Sequence, residues 1–135
     1  MERKRVVTSL LICEGKILLL KRSQRVATMK GWWHGVSGYL EEDELPYDRA
    51  LKEIREEVNL GPDEVELVRG GEIIESPDVA GKDVIWVVHP FLFRVKSPGK
   101  IRLDWEHDEC VWVLPADLES YRTVPRLADA LKKLL

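Results

Sequence analysis

The chain has 135 residues, 44% of them hydrophobic and 33% charged, a composition that fits one folded domain and excludes a disordered polymer. Its 21 basic and 24 acidic residues leave a formal charge of −3, a balance that argues against general binding of nucleic acid or anionic membrane. At this length folding removes about two-thirds of the unfolded chain's surface from water, enough for a real core.

From the start, basic residues lead into an apolar run that is interrupted by Thr8 and Ser9 and closed by Glu14. It is short for an export signal and lacks a small-residue cleavage site, so residues 5–13 (RVVTSLLIC) read as a buried strand. Glu14-Gly15 predicts a turn, and Lys16–Arg22 (KILLLKR) the second strand of a hairpin. Residues 23–30 form a polar, basic loop, 32–39 (WWHGVSGY) are rich in glycine and aromatics, and 41–44 (EEDE) form an acidic loop. Pro46 suits the first turn of a helix that runs to about Val58. Asn59 tolerates the left-handed conformation that ends a helix, and Gly61-Pro62 bars continuation.

Residues 65–75 (VELVRGGEIIE) and Val84–Val95 (VIWVVHPFLFRV) read as strands, the first with a glycine bulge, the second with a bulge or edge position at His89-Pro90. Residues 109–114 form another strand and "PADLESY" a short helical turn. Leu127, Ala130, Leu131 and Leu134 recur at helical spacing, which predicts a terminal amphipathic helix over 124–135. Strands before and after one central helix, without regular alternation, predict a single α/β domain over 1–135 with a mixed sheet between helices. No apolar run approaches the ~20 residues of a membrane span. Cys13 and Cys110 lie in apolar segments and, with no export signal, are expected as buried free thiols in a reducing cytoplasm.

The central helix poses a problem. At about 100° per residue Tyr47, Ala50, Leu51, Ile54 and Val58 share one side, while Glu53, Glu56 and Glu57 crowd into an arc beside that stripe. Like charges three and four residues apart cost roughly 0.2–0.5 kcal/mol per pair, partly offset here by Arg49 and Lys52. A solvated acidic face is the simplest account of such a helix. A divalent cation is the other, since hard oxygen ligands within two turns suit Mg²⁺ or Mn²⁺ carrying waters and phosphate oxygens.

The spacing from Gly38 to Leu60 (GYLEEDELPYDRALKEIREEVNL) decides between them. It resembles the signature of the Nudix hydrolases: Gly38, Glu44, Glu53, Ile54, Glu56, Glu57 and Leu60 occupy seven of nine fixed positions over 23 residues. Lys52 stands where that family has arginine and Asn59 where it has glycine. Lysine keeps the charge but cannot form the fork that holds the glutamates, and asparagine is a mild replacement at a left-handed position. Leu45 sits where a capping Ser or Thr is usual.

The resemblance implies a Nudix fold and hydrolysis of the pyrophosphate linkage of a nucleoside triphosphate or nucleoside diphosphate derivative, with release of a nucleoside monophosphate. Glu53, Glu56, Glu57 and the Gly38 carbonyl would bind Mg²⁺ or Mn²⁺, with Glu53 also a candidate base and Glu57 counted among the catalytic groups. Glu44 and Lys52 would support the loop and the glutamates. In "DWEHDECVWV" the family frame favours Glu106 as a further ligand or base. His107 could shuttle protons, but its simpler reading is a solvated loop histidine, and His34 has no assigned task. Among Lys21, Arg22, Arg25 and Lys30, the favoured phosphate contacts are Arg22 and Arg25. Trp32, Trp33 and Tyr39 flank the glycine and could stack on a base, with one tryptophan expected in the core and Trp33 and Tyr39 favoured for stacking.

The expected partner is a small nucleotide, with no nucleic acid or membrane, and a homodimer stays open because many relatives pair. Two rival activities share the fold. Isoprenoid-diphosphate isomerisation uses a pocket cysteine, absent from "WWHGVSGYLE"; a non-catalytic nucleotide-binding module often loses signature glutamates, all kept here.

Overall fold

The computed structural model describes residues 1–78 and 80–135. Strands β1 (Glu2–Cys13), β2 (Lys16–Arg22), β3 (Trp33–His34) and β4 (Val36–Tyr39) precede helix α1 (Pro46–Val58). Strands β5 (Val65–Gly70), β6 (Ile74–Pro77), β7 (Val84–Val95) and β8 (His107–Val113) follow, and helix α2 (Leu127–Leu134) closes the chain. All eight strands join one mixed sheet.

Two long strands organise that sheet. β1 and β7 run parallel, in register from Glu2↔Val84 to Ile12↔Arg94. Each takes two short antiparallel partners end to end along its outer edge. β1 pairs first with β4, from Val6↔Tyr39 to Ser9↔Val36, then with β2 at Ile12↔Ile17. β7 pairs with β5 near its end and with β6 near its start. β2 in turn carries β3 and β8.

The unbroken apolar run of β2 follows from burial on both faces. Leu18 and Leu20 face a core with Leu11, Phe93 and the α1 residues Ala50, Ile54 and Val58. Ile17 and Leu19 face a second core with Leu10, Leu92 and the α2 residues Leu127, Leu131 and Leu134. Adjacent residues thus serve opposite layers, as the two-residue strand period requires. Each fully buried aliphatic side chain contributes about 1.5–3 kcal/mol, so both helices are held chiefly by these stripes. The expected mixed sheet between helices is what forms.

Several local expectations change. Residues 65–75 make two strands, and the register shift lies between Leu67 and Arg69, ahead of the glycines. The break between β5 and β6 faces His89-Pro90: Gly71 donates its N–H to the Pro90 carbonyl at 2.9 Å, and the ladder resumes at Ile74↔Val88. Proline, which has no N–H, therefore occupies a central strand where the neighbouring ladder lapses. The last helix starts at Leu127, not 124. The Val124 N–H donates to the Trp33 carbonyl at 2.9 Å, which holds this segment extended against β3, and Arg126 adopts a left-handed conformation at φ 73°. Both cysteines are free, but Cys110 is exposed on β8 and Cys13 half-buried, so the expectation of two buried thiols fails. β8 is an outer strand whose solvent face takes Cys110. No helix among the described residues is long and apolar enough to cross a membrane.

Candidate active site

Helix α1 reaches the site because both its ends are fixed. Pro46 occupies its first turn, and Leu45 supplies no side-chain cap. At the other end Asn59 takes the left-handed conformation (φ 63°, ψ 32°) and donates its N–H to the Arg55 carbonyl at 3.1 Å. Between them Ala50, Ile54 and Val58 anchor the helix on the sheet, so Glu53, Glu56 and Glu57 face one cleft of about 850 Å³. Gly38 on β4 makes the approach possible. A Cβ there would lie 2.2 Å from Glu53 Cδ and 2.3 Å from Oε1, a distance no side chain tolerates.

The carboxyls differ sharply in environment. Glu57 is 1% exposed, and its Oε2 has no hydrogen-bond partner. Burial pushes its carboxyl well above the usual range, reinforced by Glu53 and by the charges of Glu106 and Asp104. Glu53 is also raised, chiefly by burial and further by Glu56, with Glu57 and Arg49 opposing. A buried, unpartnered carboxylate oxygen beside a second carboxyl, itself packed against the backbone at Gly38, is a donor set that fits a hard divalent cation.

Glu44 anchors this arrangement from the loop. It accepts the Glu41 N–H at 3.1 Å and Lys52 Nζ at 3.1 Å. Its main partner is Arg49, whose Nε and Nη2 grip Oε1 and Oε2 at 2.8 and 2.9 Å, while Nη1 reaches Glu53 Oε1 at 3.2 Å. The Arg49 hydrogen bonds hold Glu44 down to about 2. The fork that Lys52 cannot form is therefore supplied from one turn earlier, by Arg49. Its i,i+4 spacing to Glu53 was the available signal, but spacing alone shows only a weak ion pair.

Across the cleft stands the segment before β8. Glu106 lines the opening, its carbonyl accepts the Ser23 N–H at 2.8 Å, and burial together with Asp104 raises its carboxyl. His107 is not solvated: its side chain is 1% exposed, and its Nδ1 lies 3.0 Å from Asp104 Oδ1. Its Nε2 lies 2.9 Å from Nε2 of His34, also buried, and 3.6 Å from Glu57 Oε1. Burial lowers both imidazoles, His34 strongly, while Asp104 opposes the shift at His107. The sequence offered no pattern for this pair, which lies 73 residues apart.

The basic and aromatic candidates divide. Arg22 lines the cleft, with Nε donating to the Thr28 carbonyl at 3.0 Å. Tyr39 lines it too, 61% exposed, its ring 6.1 Å from that of Trp86. Arg25 stands outside the lining, over the Trp105 ring at 5.7 Å. Trp33 faces the α2 core and packs edge-on against Tyr121 at 5.3 Å. Lys21 is paired with Glu109 at 3.1 Å. Sequence reasoning passed over Trp86, Asp78 and Arg126. Asp78 accepts Trp86 Nε1–H at 2.9 Å, Arg126 donates to Ser76 Oγ and to the Pro77 carbonyl, and all three line the same cleft.

Comparison with known proteins agrees with the geometry. The model of the NUDIX domain matches residues 2–134. Among curated proteins no sequence matches. The MutT protein from Methanosarcina mazei Go1 superposes with a TM-score of 0.76 at 24% identity, over 97% of this chain and 91% of its own. The E. coli ORF135 protein gives 0.75 at 24% identity, over 98% and 89%. A C. elegans Ap4A hydrolase binary complex gives 0.74 at 19% identity, over 98% and 94%. At these identities the solved structures share the fold.

Proposed function

The chain belongs to the NUDIX domain family, and from that premise we propose that it hydrolyses the pyrophosphate linkage of a nucleoside triphosphate or nucleoside diphosphate derivative, releasing a nucleoside monophosphate. The observation that carries the reading is Glu57, a carboxyl buried to 1% exposure with one oxygen unpartnered, beside Glu53 and over Gly38.

Glu53, Glu56 and Glu57, with the Gly38 carbonyl, would hold Mg²⁺ or Mn²⁺. When bound, such an ion offsets the pyrophosphate charge and acidifies an attacking water. Arg49 and Glu44 keep Glu53 directed at the cleft. Glu106, half-buried opposite the helix with a raised carboxyl, and Glu53 are the candidate proton acceptors for that water. Arg22 is the cation within the cleft best suited to phosphate oxygens, and Tyr39 with Trp86 offers aromatic surface to a base. A cytoplasmic small-nucleotide hydrolase, paired or single, is the resulting picture.

The isomerase reading loses support, because neither Cys13 nor Cys110 lines the cleft. A panel of nucleotides incubated with Mg²⁺ and with Mn²⁺, with products identified, tests the proposal. Release of a nucleoside monophosphate is the expected outcome. Allylic rearrangement, or tight binding without turnover, contradicts it.

A further inference from the structure

The two buried histidines are not needed by an all-oxygen metal cluster, yet they share a point of convergence with it. β2 lies between them. Leu20 pairs with His34 on β3, and Arg22 pairs with His107 on β8, so strands on opposite edges of β2 direct their imidazoles toward each other over one face of it. Helix α1 brings Glu57 to the same place. One ligand atom from each of His34, Glu57 and His107 lies within 4.8 Å of the other two, and all three residues are buried.

Two of the three separations match a coordination sphere, and the third, between His34 and Glu57, is within 4.8 Å. Donors about 2.0–2.1 Å from a common ion and roughly 90–120° apart lie about 2.9–3.6 Å from each other. The imidazole nitrogens are 2.9 Å apart, and His107 Nε2 is 3.6 Å from Glu57 Oε1. Asp104 completes the arrangement from outside. Its Oδ1, 3.0 Å from His107 Nδ1, accepts that N–H and so leaves the lone pair on Nε2, pointing inward. A carboxylate behind a ligating histidine is the usual means of fixing its tautomer. The remaining ring proton assignment follows: without an ion, His34 donates Nε2–H to His107; with one, that proton moves to His34 Nδ1. Glu57 Oε1 faces His107, and its Oε2, the atom on which the oxygen-ligand reading also rests, has no partner in the buried network.

We propose that His34, His107 and Glu57 form a transition-metal site, taking a borderline divalent ion such as Zn²⁺ or Co²⁺ in preference to Mg²⁺. Two imidazoles and one carboxylate suit such ions, whereas Mg²⁺ favours oxygen donors. The proposal rests on the reading of Glu57 as a ligand given above, but it assigns that residue to a second kind of metal. Either ion at Glu57 alters the charge available to the other.

The test is Zn²⁺ titration of the protein with imidazole nitrogens followed by ¹⁵N NMR, alongside Co²⁺ affinity by equilibrium dialysis in excess Mg²⁺. The chain has three histidines, so His89 serves as an internal control. One equivalent of Zn²⁺ should move the Nε2 resonances of His34 and His107 together and leave those of His89 in place. His34→Gln and His107→Gln should each weaken Co²⁺ binding at least about tenfold, while His89→Gln, outside the triad and outside the cleft lining, should retain it. Imidazole resonances unmoved by saturating Zn²⁺ in the wild-type protein overturn the proposal, whatever the variants do. If they stay put while Mg²⁺-dependent hydrolysis is found, the nitrogen site falls and the proposed function stands. If they move but no pyrophosphate compound is cleaved, the site stands and the proposed function falls.

Discussion

Arg49 grips both oxygens of Glu44, at 2.8 and 2.9 Å, and touches Glu53 with its third nitrogen at 3.2 Å. One side chain thus ties the acidic loop to the helix and aims a carboxylate at the cleft. Lys52 adds a single contact to Glu44 at 3.1 Å and is itself 60% exposed. The fork should therefore matter more than the lysine. Arg49→Lys, which keeps the charge and removes the fork, should lower kcat/KM by about 10–100-fold. Lys52→Arg should leave it near the wild-type value, because Glu44 already has its bidentate partner. Steady-state kinetics on both variants checks this, and equal losses would assign the fork no special part.

Glu57→Gln should lower turnover by at least about 100-fold at saturating Mg²⁺, since the amide would replace an anionic ligand of the proposed metal cluster. The fold should persist, because a neutral amide replaces a carboxyl that burial already disfavours as an anion. Circular dichroism and thermal melting of the metal-free variant separate the two effects.

Gly38→Ala tests the close approach of strand and helix. The added Cβ would overlap the Glu53 carboxyl, so either Glu53 turns away or β4 shifts. Turnover should fall and stability should drop by about 1–3 kcal/mol, as for other overpacked sites. Chemical denaturation measures the second quantity, and an unchanged midpoint would mean that the contact yields freely.

Glu44 gives a pH dependence of defined sign. The Arg49 hydrogen bonds hold its folded-state pKa down to about 2, so the stability it contributes is present above the ordinary carboxylate range and lost as pH falls toward about 2. Glu44→Gln should melt below the wild type at neutral pH, with the difference closing between about pH 4.5 and pH 2. Melting curves across that range check it; a difference independent of pH would mean that the ionised form of Glu44 is not what the Arg49 fork stabilises.

Strong periodicity made much of the fold legible. Lys16–Arg22, Pro46–Val58 and Val84–Val95 form over the residues expected, and Asn59 caps its helix in the left-handed conformation. The glutamates were legible because one helix carries them at fixed spacing. Features that depend on strand neighbours were not. His34 and His107 meet only because β3 and β8 both pair with β2, and a local reading of "DWEHDEC" suggests solvent, not a core. Trp33 read as a stacking ring because, with Trp32 and Tyr39, it flanks the glycine of the signature, but the two-residue period turns it to the α2 side of the sheet. The late start of α2 was hidden for the same reason: β3 holds the segment before it extended.

The most direct test is an anomalous scattering map from crystals grown with Mn²⁺ and a non-hydrolysable pyrophosphate compound. Peaks in contact with Glu53, Glu56 and Glu57, beside the bound pyrophosphate, are predicted. Those three side chains bare of manganese, with the compound clearly in place, would contradict the account.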